Sequence, residues 1–317
     1  MSPGAIQETQ ESPPRRAAYL RLHESGELKE RGKLLWEIME SCRLCPRECG
    51  ANRLEGETGV CQSTDRLVVS SHHPHFGEER FLVGTGGSGT IFLSGCHLRC
   101  VFCQNWEISH EGQGNECSVE ELAGMMLRLQ ILGCHNINLV SPTHFAAHIL
   151  QALSLAAEQG LHLPVVYNTC GWERLEILRL LDGVVDIYLP DFKFSQDSYA
   201  ESFCSGARKY VSTTQAALTE MHRQVGTAIL SADGLVHRGL VIRHLVMPED
   251  GSGTREVLNW IASHLPRDTR VNLMSQYHPA YGAFRCRSIA RRLNRGEYAQ
   301  AVRWALESGL TAVHYQE

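Results

Sequence analysis

The sequence predicts an α/β fold in which parallel strands alternate with helices, the pattern of a parallel barrel. The chain has 317 residues, 43% of them hydrophobic, which is enough for one large core. Short apolar runs recur along it, and helical patterns separate them. Six runs are predicted as strands: 90–94, 137–140, 164–167, 184–189, 240–246 and 270–274. A full eight-stranded barrel would need more chain.

Residues 1–41 are predicted as a disordered lead followed by outer helices. The first 15 residues are polar and contain proline, without the apolar stretch of a signal peptide. From Arg16 to Met39, leucine and isoleucine recur at helical spacing, with a break near Gly26. We expect one or two amphipathic helices on the outside of a larger body, and no functional role is needed to explain them.

Residues 42–89 are predicted as a cysteine-rich extension that binds metal. Cys42, Cys45, Cys49 and Cys61 have C-x2-C-x3-C-x11-C spacing. Four thiolates can surround one zinc ion or an iron–sulfur cluster, and the ligand set does not choose between them. The structural alternative, four unrelated buried thiols, fits poorly with three cysteines in eight residues. The glycine-rich stretch 84–89 is not predicted as a phosphate-binding loop, because no Gly-Lys-Ser/Thr follows it. It is predicted to give the backbone flexibility before the first strand.

A second cysteine cluster follows the first predicted barrel strand. Cys96, Cys100 and Cys103 lie in one short loop with C-x3-C-x2-C spacing. Three thiolates on a four-iron cluster leave one iron without a protein ligand, and such a site can do chemistry as well as carry electrons. The alternative is a structural zinc loop, but zinc sites usually show two ligand pairs separated by a longer insert. We therefore predict a [4Fe–4S] cluster in this loop.

The remaining elements follow from helical patterns between the strands. Ser118 and Glu121 form a capping-box signal that opens a helix ending near Leu132. Further helices are predicted over 145–159, 173–181 and 255–264, with helical material before 222 and a final helix near 298–307. The predicted barrel is therefore residues 90–280, and residues 281–317 are predicted as a C-terminal helical tail.

The cysteine loop and its flanks resemble the signature of the radical S-adenosylmethionine (radical SAM) enzymes. The string Gly-Ser-Gly-Thr-Ile-Phe-Leu-Ser-Gly-Cys at 87–96 resembles the branch related to the pyruvate formate-lyase activating enzyme, as does Cys-Pro-Arg at 45–47. This resemblance implies a partial (β/α)6 TIM-like barrel that binds a [4Fe–4S] cluster and SAM. It also implies reductive cleavage of SAM to a 5′-deoxyadenosyl radical, which abstracts hydrogen from a protein or peptide. The electron would come from an external reductant such as flavodoxin or ferredoxin.

Site residues are expected at the C-terminal ends of the strands, where the loops of a parallel barrel converge. By resemblance, Phe102 matches an aromatic residue near adenine, Asp191 and Lys193 match an Asp-x-Lys that contacts SAM or a nearby cation, and His278 matches a histidine that approaches SAM. Asn168 stands where the family has aspartate, which puts a cation site in doubt. The family often has Gly-Gly-Glu after the second strand to hold the SAM amino group. This chain has Ser141, Pro142, Thr143 and His144 there, and Thr143 or His144 is predicted to do that work.

Two other functions stay open at this point: a radical SAM enzyme acting on a small molecule, and a non-enzymatic iron–sulfur redox sensor or scaffold. The net charge of −5 and the lack of a long basic run give no sign of nucleic-acid binding. The sequence has no stretch of about 18 consecutive apolar residues, so no membrane span is predicted. Seven of twelve cysteines fall in the two clusters, which favours metal in a reducing compartment and predicts a cytoplasmic protein.

Overall fold

The structure is a computed structural model that describes residues 16–316, so the predicted disordered lead at 1–15 lies outside the described residues. The strands are β1 Leu67–His75, β2 Ser88–Leu93, β3 Asn115–Cys117, β4 Ile137–Val140, β5 Val165–Thr169, β6 Ile187–Pro190, β7 Ile229–Leu230, β8 Val236–Leu245, β9 Arg270–Met274 and β10 Val313–Tyr315. The helices are α1 Tyr19–Glu24, α2 Glu27–Glu37, α3 Arg80–Val83, α4 Trp106–Ser109, α5 Val119–Ile131, α6 Ala146–Glu158, α7 Leu175–Leu180, α8 Asp197–Phe203, α9 Tyr210–Val225, α10 Thr254–His264 and α11 Arg295–Ser308.

The six predicted barrel strands are confirmed as one parallel array. They are β2, β4, β5, β6, β8 and β9, and each pairs in parallel with the next. The full order along the sheet is β10-β9-β8-β6-β5-β4-β2-β1-β3, with β7 paired to β8. Within residues 16–316, the ends β10 and β3 do not pair with each other, so the sheet is not closed. The fold is the predicted α/β partial barrel.

Strand residues alternate between two hydrophobic cores because successive side chains point to opposite faces. On β5, Val165 and Tyr167 belong to the large core that the helices cover, whereas Val166 belongs to a smaller cluster. Phe81 and Leu82 of α3 pack in this smaller cluster, with residues of β6 and β8. The short helix before β2 therefore fills part of the inner face. A methyl group on Gly86 would collide with the carbonyl of Gly133, so glycine is needed there for close packing.

The helices agree with the sequence pattern where local signals were strong. The predicted capping box is present: Glu121 donates its backbone N–H to the Ser118 hydroxyl, and its carboxylate accepts the Ser118 N–H at 2.7 Å. Helix α7 is shorter than predicted and starts at Leu175. The outer helix α2 packs on α6, where Cβ of Leu150 would lie 3.5 Å from a methyl group on Gly32. None of the described helices is long and apolar enough to cross a membrane.

The two ends of the sheet differ from the sequence interpretation. The histidine-rich segment 72–75 lies in β1, antiparallel to β2, and His73 stacks on Phe92 with ring centroids 5.8 Å apart. The last segment contains α11, as predicted, and also β10, which pairs in parallel with β9. It is therefore not a purely helical tail. Both strands were missed because His-His-Pro-His and a three-residue edge strand lack a clear apolar alternation.

Candidate functional site

The predicted cluster loop leaves the C-terminal end of β2 and is fixed by backbone hydrogen bonds. The N–H of Gly95 donates to Ile108 O at 3.0 Å, and the N–H of Val101 donates to Phe203 O at 2.8 Å. Gly95 and Arg99 have positive φ, +82° and +50°, which lets the chain turn twice within the loop. Because of these turns, Cys96, Cys100 and Cys103 come from a compact, well-anchored segment.

The three loop thiols suit metal ligation. All are free, and burial raises the pKa of Cys96 to about 11. The hydrogen bond between Cys100 and Cys204, together with burial, raises the pKa of Cys100, whose Sγ lies 3.4 Å from the Cys204 sulfur. The Ser109 hydroxyl donates to Sγ of Cys103 at 3.1 Å. Iron coordination would remove the thiol protons, and such hydrogen bonds tune the reduction potential of a cluster, so the donor set fits a cluster.

A buried ionic network lies on the inner face of the barrel next to the loop. Arg243 donates through Nε to Oδ1 of Asp191 at 2.8 Å and through Nη2 to Oδ1 of Asn168 at 2.6 Å. Lys193 binds the other carboxylate oxygen of Asp191. Oε2 of Glu78 lies 3.7 Å from Nη1 of Arg243. The predicted residues Asn168, Asp191 and Lys193 are therefore brought together, and Arg243, which the sequence analysis did not single out, joins them.

The charges of this network stabilise one another. Burial alone would raise the pKa of Asp191, but Arg243 and Lys193 hold it below its ordinary value. Burial raises the pKa of Glu78 to about 7 against the opposing effect of Arg243. Lys193 also interacts electrostatically with the thiols of Cys100 and Cys103. The network thus places a cation beside the predicted cluster ligands. Because Asn168 already binds a guanidinium, no free cation is needed to satisfy its oxygen.

The end of β9 is tied to the cluster loop. The side-chain amide of Gln104, the residue after Cys103, donates to Gln276 O at 3.1 Å and lies 3.2 Å from Nδ1 of His278. Phe102 is buried among aromatic rings, with its centroid 6.1 Å from those of Phe194 and Tyr277. His278 therefore lies at the loop, as the strand-end argument predicts, whereas the contacts of Phe102 are those of a packed aromatic cluster.

The segment after β4 makes contacts that the sequence did not indicate. Oγ1 of Thr143 donates to Oε1 of Glu173 at 2.7 Å. Nε2 of His144 lies 2.8 Å from Ser94 O, and burial lowers the pKa of His144 to about 3. Ser141 has φ +56° and donates its N–H to Asn168 O at 2.9 Å. Both predicted contacts of the SAM amino group are thus engaged with the protein, and their SAM role stays a prediction.

The four cysteines of the extension lie in two adjoining turns. Cys42, Cys45 and Cys61 are buried, and Cys49 is exposed. Burial raises the pKa of Cys45, and the nearby thiols of Cys61 and Cys42 raise it further. Gly59 packs against Cys49, since a methyl group on Gly59 would come within 2.5 Å of that sulfur. The second predicted metal site therefore has its ligands in one small region.

Arg47 joins the extension to the cluster loop. Its guanidinium donates to the carbonyls of His97 at 2.9 Å and Leu98 at 3.3 Å, and to those of Cys204 and Ser205 at 2.7 and 2.6 Å. It therefore fixes two segments that bear sulfur atoms. The residue lies in the Cys-Pro-Arg motif, whose arginine the sequence analysis did not assign to the site.

Replacing Arg47 with alanine is expected to speed loss of the cluster. Several hydrogen bonds from a charged donor are removed, and the loss of one such bond, about 1.5–3 kcal/mol, already corresponds to a factor of about ten or more, so iron release to a chelator should be about tenfold faster or more. Iron release can be followed by the visible absorbance of the reconstituted protein. Arg43→Ala is the matched control, since Arg43 is an exposed arginine in the same turn. Equal release rates in both variants would show that Arg47 does not stabilise the loop.

The sequence analysis also missed a compact group of possible metal ligands, which lies between the two cysteine sets. Among residues 16–316, the one group of three or more His, Cys, Asp or Glu ligand atoms within 4.8 Å of one another consists of His97, Cys170 and Glu173. Neither predicted cysteine set is gathered that tightly. Sequence spacing could not reveal the group, because His97 belongs to the loop after β2 and the other two residues follow β5.

Comparison with known proteins identifies the family. Residues 90–223 match the sequence profile of the radical SAM superfamily. An uncharacterized protein of Methanocaldococcus jannaschii, MJ0674, is 33% identical over 289 residues, which are 87% of this chain and 78% of that protein. The chain belongs to the radical SAM superfamily. Membership indicates an enzyme and implies SAM, a [4Fe–4S] cluster and an external reductant for this radical SAM protein.

The solved structures to which this radical SAM protein is similar are more distant in sequence. A domain of the pyruvate-formate lyase-activating enzyme from Bacteroides vulgatus is 16% identical, with a TM-score of 0.35. The match covers 51% of this chain and 86% of that chain. Methylornithine synthase (PylB) is 12% identical, with a TM-score of 0.47, over 93% of this chain and 73% of that chain.

Proposed function

We propose that the protein cleaves SAM reductively at a [4Fe–4S] cluster held by Cys96, Cys100 and Cys103 and abstracts hydrogen from a protein or peptide. The observation that carries this proposal is the anchored three-cysteine loop at the end of β2, next to the Asp191–Lys193 pair and His278. When bound, the cluster supplies an open iron site and the electron that breaks the sulfonium bond of SAM. Superfamily membership supports this chemistry.

The protein's own residues would bind and orient SAM. Lys193 carries the positive charge that a methionyl carboxylate requires, and Asp191 keeps that charge in place. His278, supported by Gln104, closes the same edge from β9. Phe102, now packed among aromatic rings, would have to turn out of that cluster to contact adenine, and Asn168 and Ser141 line the neighbouring strand ends. A SAM contact by Thr143 or His144 would require either side chain to give up its present hydrogen bond.

A protein or peptide substrate is favoured by two features. The segment 87–96 resembles the activating-enzyme branch, whose members act on proteins. The described sheet also ends at β10 and β3 without pairing between them, so the barrel is open on one side, where a chain could approach it. His73, His75 and Phe92 form an aromatic group on β1 and β2 at this side, with centroids 5.5–5.8 Å apart.

We also propose a second metal site, zinc or iron–sulfur, at Cys42, Cys45, Cys49 and Cys61. Three of these thiols are buried, and the two turns that carry them pack together. Because these thiols are brought together only in the folded chain, metal binding there would contribute to its folding. Arg47 then links the stability of this region to the position of the SAM-cleaving loop.

Deuterium transfer identifies the substrate class. A host-cell extract from deuterated medium is separated into macromolecular and small-molecule fractions, and each is incubated with the reduced enzyme and SAM. The proposal predicts deuterium in 5′-deoxyadenosine from the macromolecular fraction, with loss of the signal after protease treatment. Transfer from the small-molecule fraction alone would show that the enzyme acts on a small molecule and would contradict a protein or peptide substrate.

A further inference from the structure

His97, Cys170 and Glu173 form a site that is separate from both predicted cysteine sets. Sγ of Cys170 lies 3.2 Å from Nε2 of His97, and all three ligand atoms lie within 4.8 Å of one another. His97 and Glu173 are 2% and 1% exposed. Three side chains of different chemistry, from two distant parts of the chain, thus converge on one point beneath the surface.

Glu173 is oriented as a ligand would be. Thr143 donates to Oε1 at 2.7 Å, and the Thr169 hydroxyl donates to the same oxygen. The second oxygen, Oε2, is buried and has no hydrogen-bond partner. A buried carboxylate oxygen without a partner is costly, so it requires a cation or a donor. Two hydroxyl groups that fix one oxygen and leave the other free are the supporting arrangement found around metal-bound carboxylates.

His97 can turn a lone pair toward the same point. Its Nε2 lies 3.0 Å from Trp172 O, and its ring is stacked on the Trp172 indole with centroids 6.1 Å apart. Without an ion, an Nε2–H donates to this carbonyl; with the proton on Nδ1 instead, the Nε2 lone pair can bind a cation. The Trp172 carbonyl is then a neighbouring oxygen donor. Stacking holds the imidazole plane, so little reorientation is needed.

We propose that His97, Cys170 and Glu173 bind one divalent zinc-type ion, with the Trp172 carbonyl or a water molecule as the fourth ligand. Zinc takes sulfur, imidazole nitrogen and carboxylate oxygen at about 2.0–2.3 Å, which places tetrahedral ligand atoms less than about 4 Å apart. The thiolate and imidazole disfavour Mg²⁺ and Ca²⁺, which prefer oxygen ligands. The ion would tie the segment after β5 to the cluster loop. The ion takes no part in SAM cleavage, and its binding does not depend on that reaction.

The test measures zinc and iron together in the full-length protein. Anaerobically reconstituted protein is equilibrated with Zn²⁺ and desalted, and both metals are counted per chain by mass spectrometry. Cys170→Ser and Glu173→Gln should each remove one tightly bound zinc and leave the iron content unchanged. Cys134→Ser, at a buried cysteine elsewhere in the core, should change neither metal. Glu173→Gln keeps a side-chain oxygen that both threonine hydroxyls can bind. This variant should therefore fold, and a loss of zinc from it would not reflect unfolding.

Zinc absorption-edge spectroscopy provides the second readout. A mixed sulfur, nitrogen and oxygen shell that disappears in Cys170→Ser supports the site. Equal zinc in all four proteins, or a sulfur-only shell that Cys170→Ser leaves intact, would overturn it and leave an ordinary hydrogen-bonded cluster. Failure of the proposed function is a different result, namely no 5′-deoxyadenosine from protein whose zinc follows the expected pattern.

Discussion

Replacing Cys96, Cys100 or Cys103 with alanine should abolish formation of 5′-deoxyadenosine from SAM under anaerobic, reducing conditions. Each variant removes one of three thiolates that would hold the cluster, and no other residue of the loop offers a thiol. The loss should exceed about 100-fold, the upper range for removing a residue that only supports a ligand. Product is measured by chromatography with mass detection, and iron per chain is measured in parallel.

Two cysteine variants serve as controls for this prediction. Cys134→Ala removes a buried thiol far from the loop in sequence and should keep both iron and activity. Cys42→Ala should lower the metal content of the extension while SAM cleavage persists. Full activity in any of the three loop variants would show that its thiol is not a ligand of the catalytic cluster.

Replacing Arg243 with leucine should lower the free energy of unfolding by about 3–5 kcal/mol, the range for removing one partner of a buried ion pair. Arg243 is 16% exposed and Asp191 is 12% exposed, so water cannot replace the lost contacts well. The change leaves Asp191 with Lys193 alone and removes the nearby positive charge from Glu78. Urea denaturation followed by circular dichroism gives the difference between variant and parent.

The control for Arg243 is an arginine that also forms ion pairs but lies at the surface. Arg223 pairs with Asp182 and Glu220, and its side chain is 56% exposed. Arg223→Leu should cost no more than about 1 kcal/mol because solvent screens exposed pairs. If both variants lost equal stability, the inner-face network would not be the buried structural element that its geometry suggests.

Local patterns predicted much of the fold. Apolar runs of strand length identified the six parallel strands, and a four-residue capping signal fixed the start of α5. Cysteine spacing located the loop because its three thiols are close along the chain. Strands β1 and β10 escaped notice because polar or very short strands depend on pairing with neighbours rather than on their own composition.

Long-range contacts were beyond the reach of sequence patterns. Arg243 directly follows the apolar run 240–242 in β8, and its role depends on which face of the sheet it occupies. The sequence pattern predicts Glu173 as the start of a helix, but its carboxylate accepts hydrogen bonds from two threonines at neighbouring strand ends. His144 follows a strand end as a SAM contact would, but it contacts the backbone of Ser94. Such partners are set by three-dimensional packing, which spacing along the chain does not encode.

Reductive cleavage of SAM by the reconstituted wild-type protein tests the central claim most directly. The full-length protein, with its iron content measured, is incubated anaerobically with dithionite and SAM, and 5′-deoxyadenosine and methionine are quantified over time. We expect both products to form together, and to be absent when either the reductant or the iron is omitted. A protein that retains its iron–sulfur cluster and binds SAM, yet forms no 5′-deoxyadenosine, would contradict the account and favour a redox sensor or scaffold.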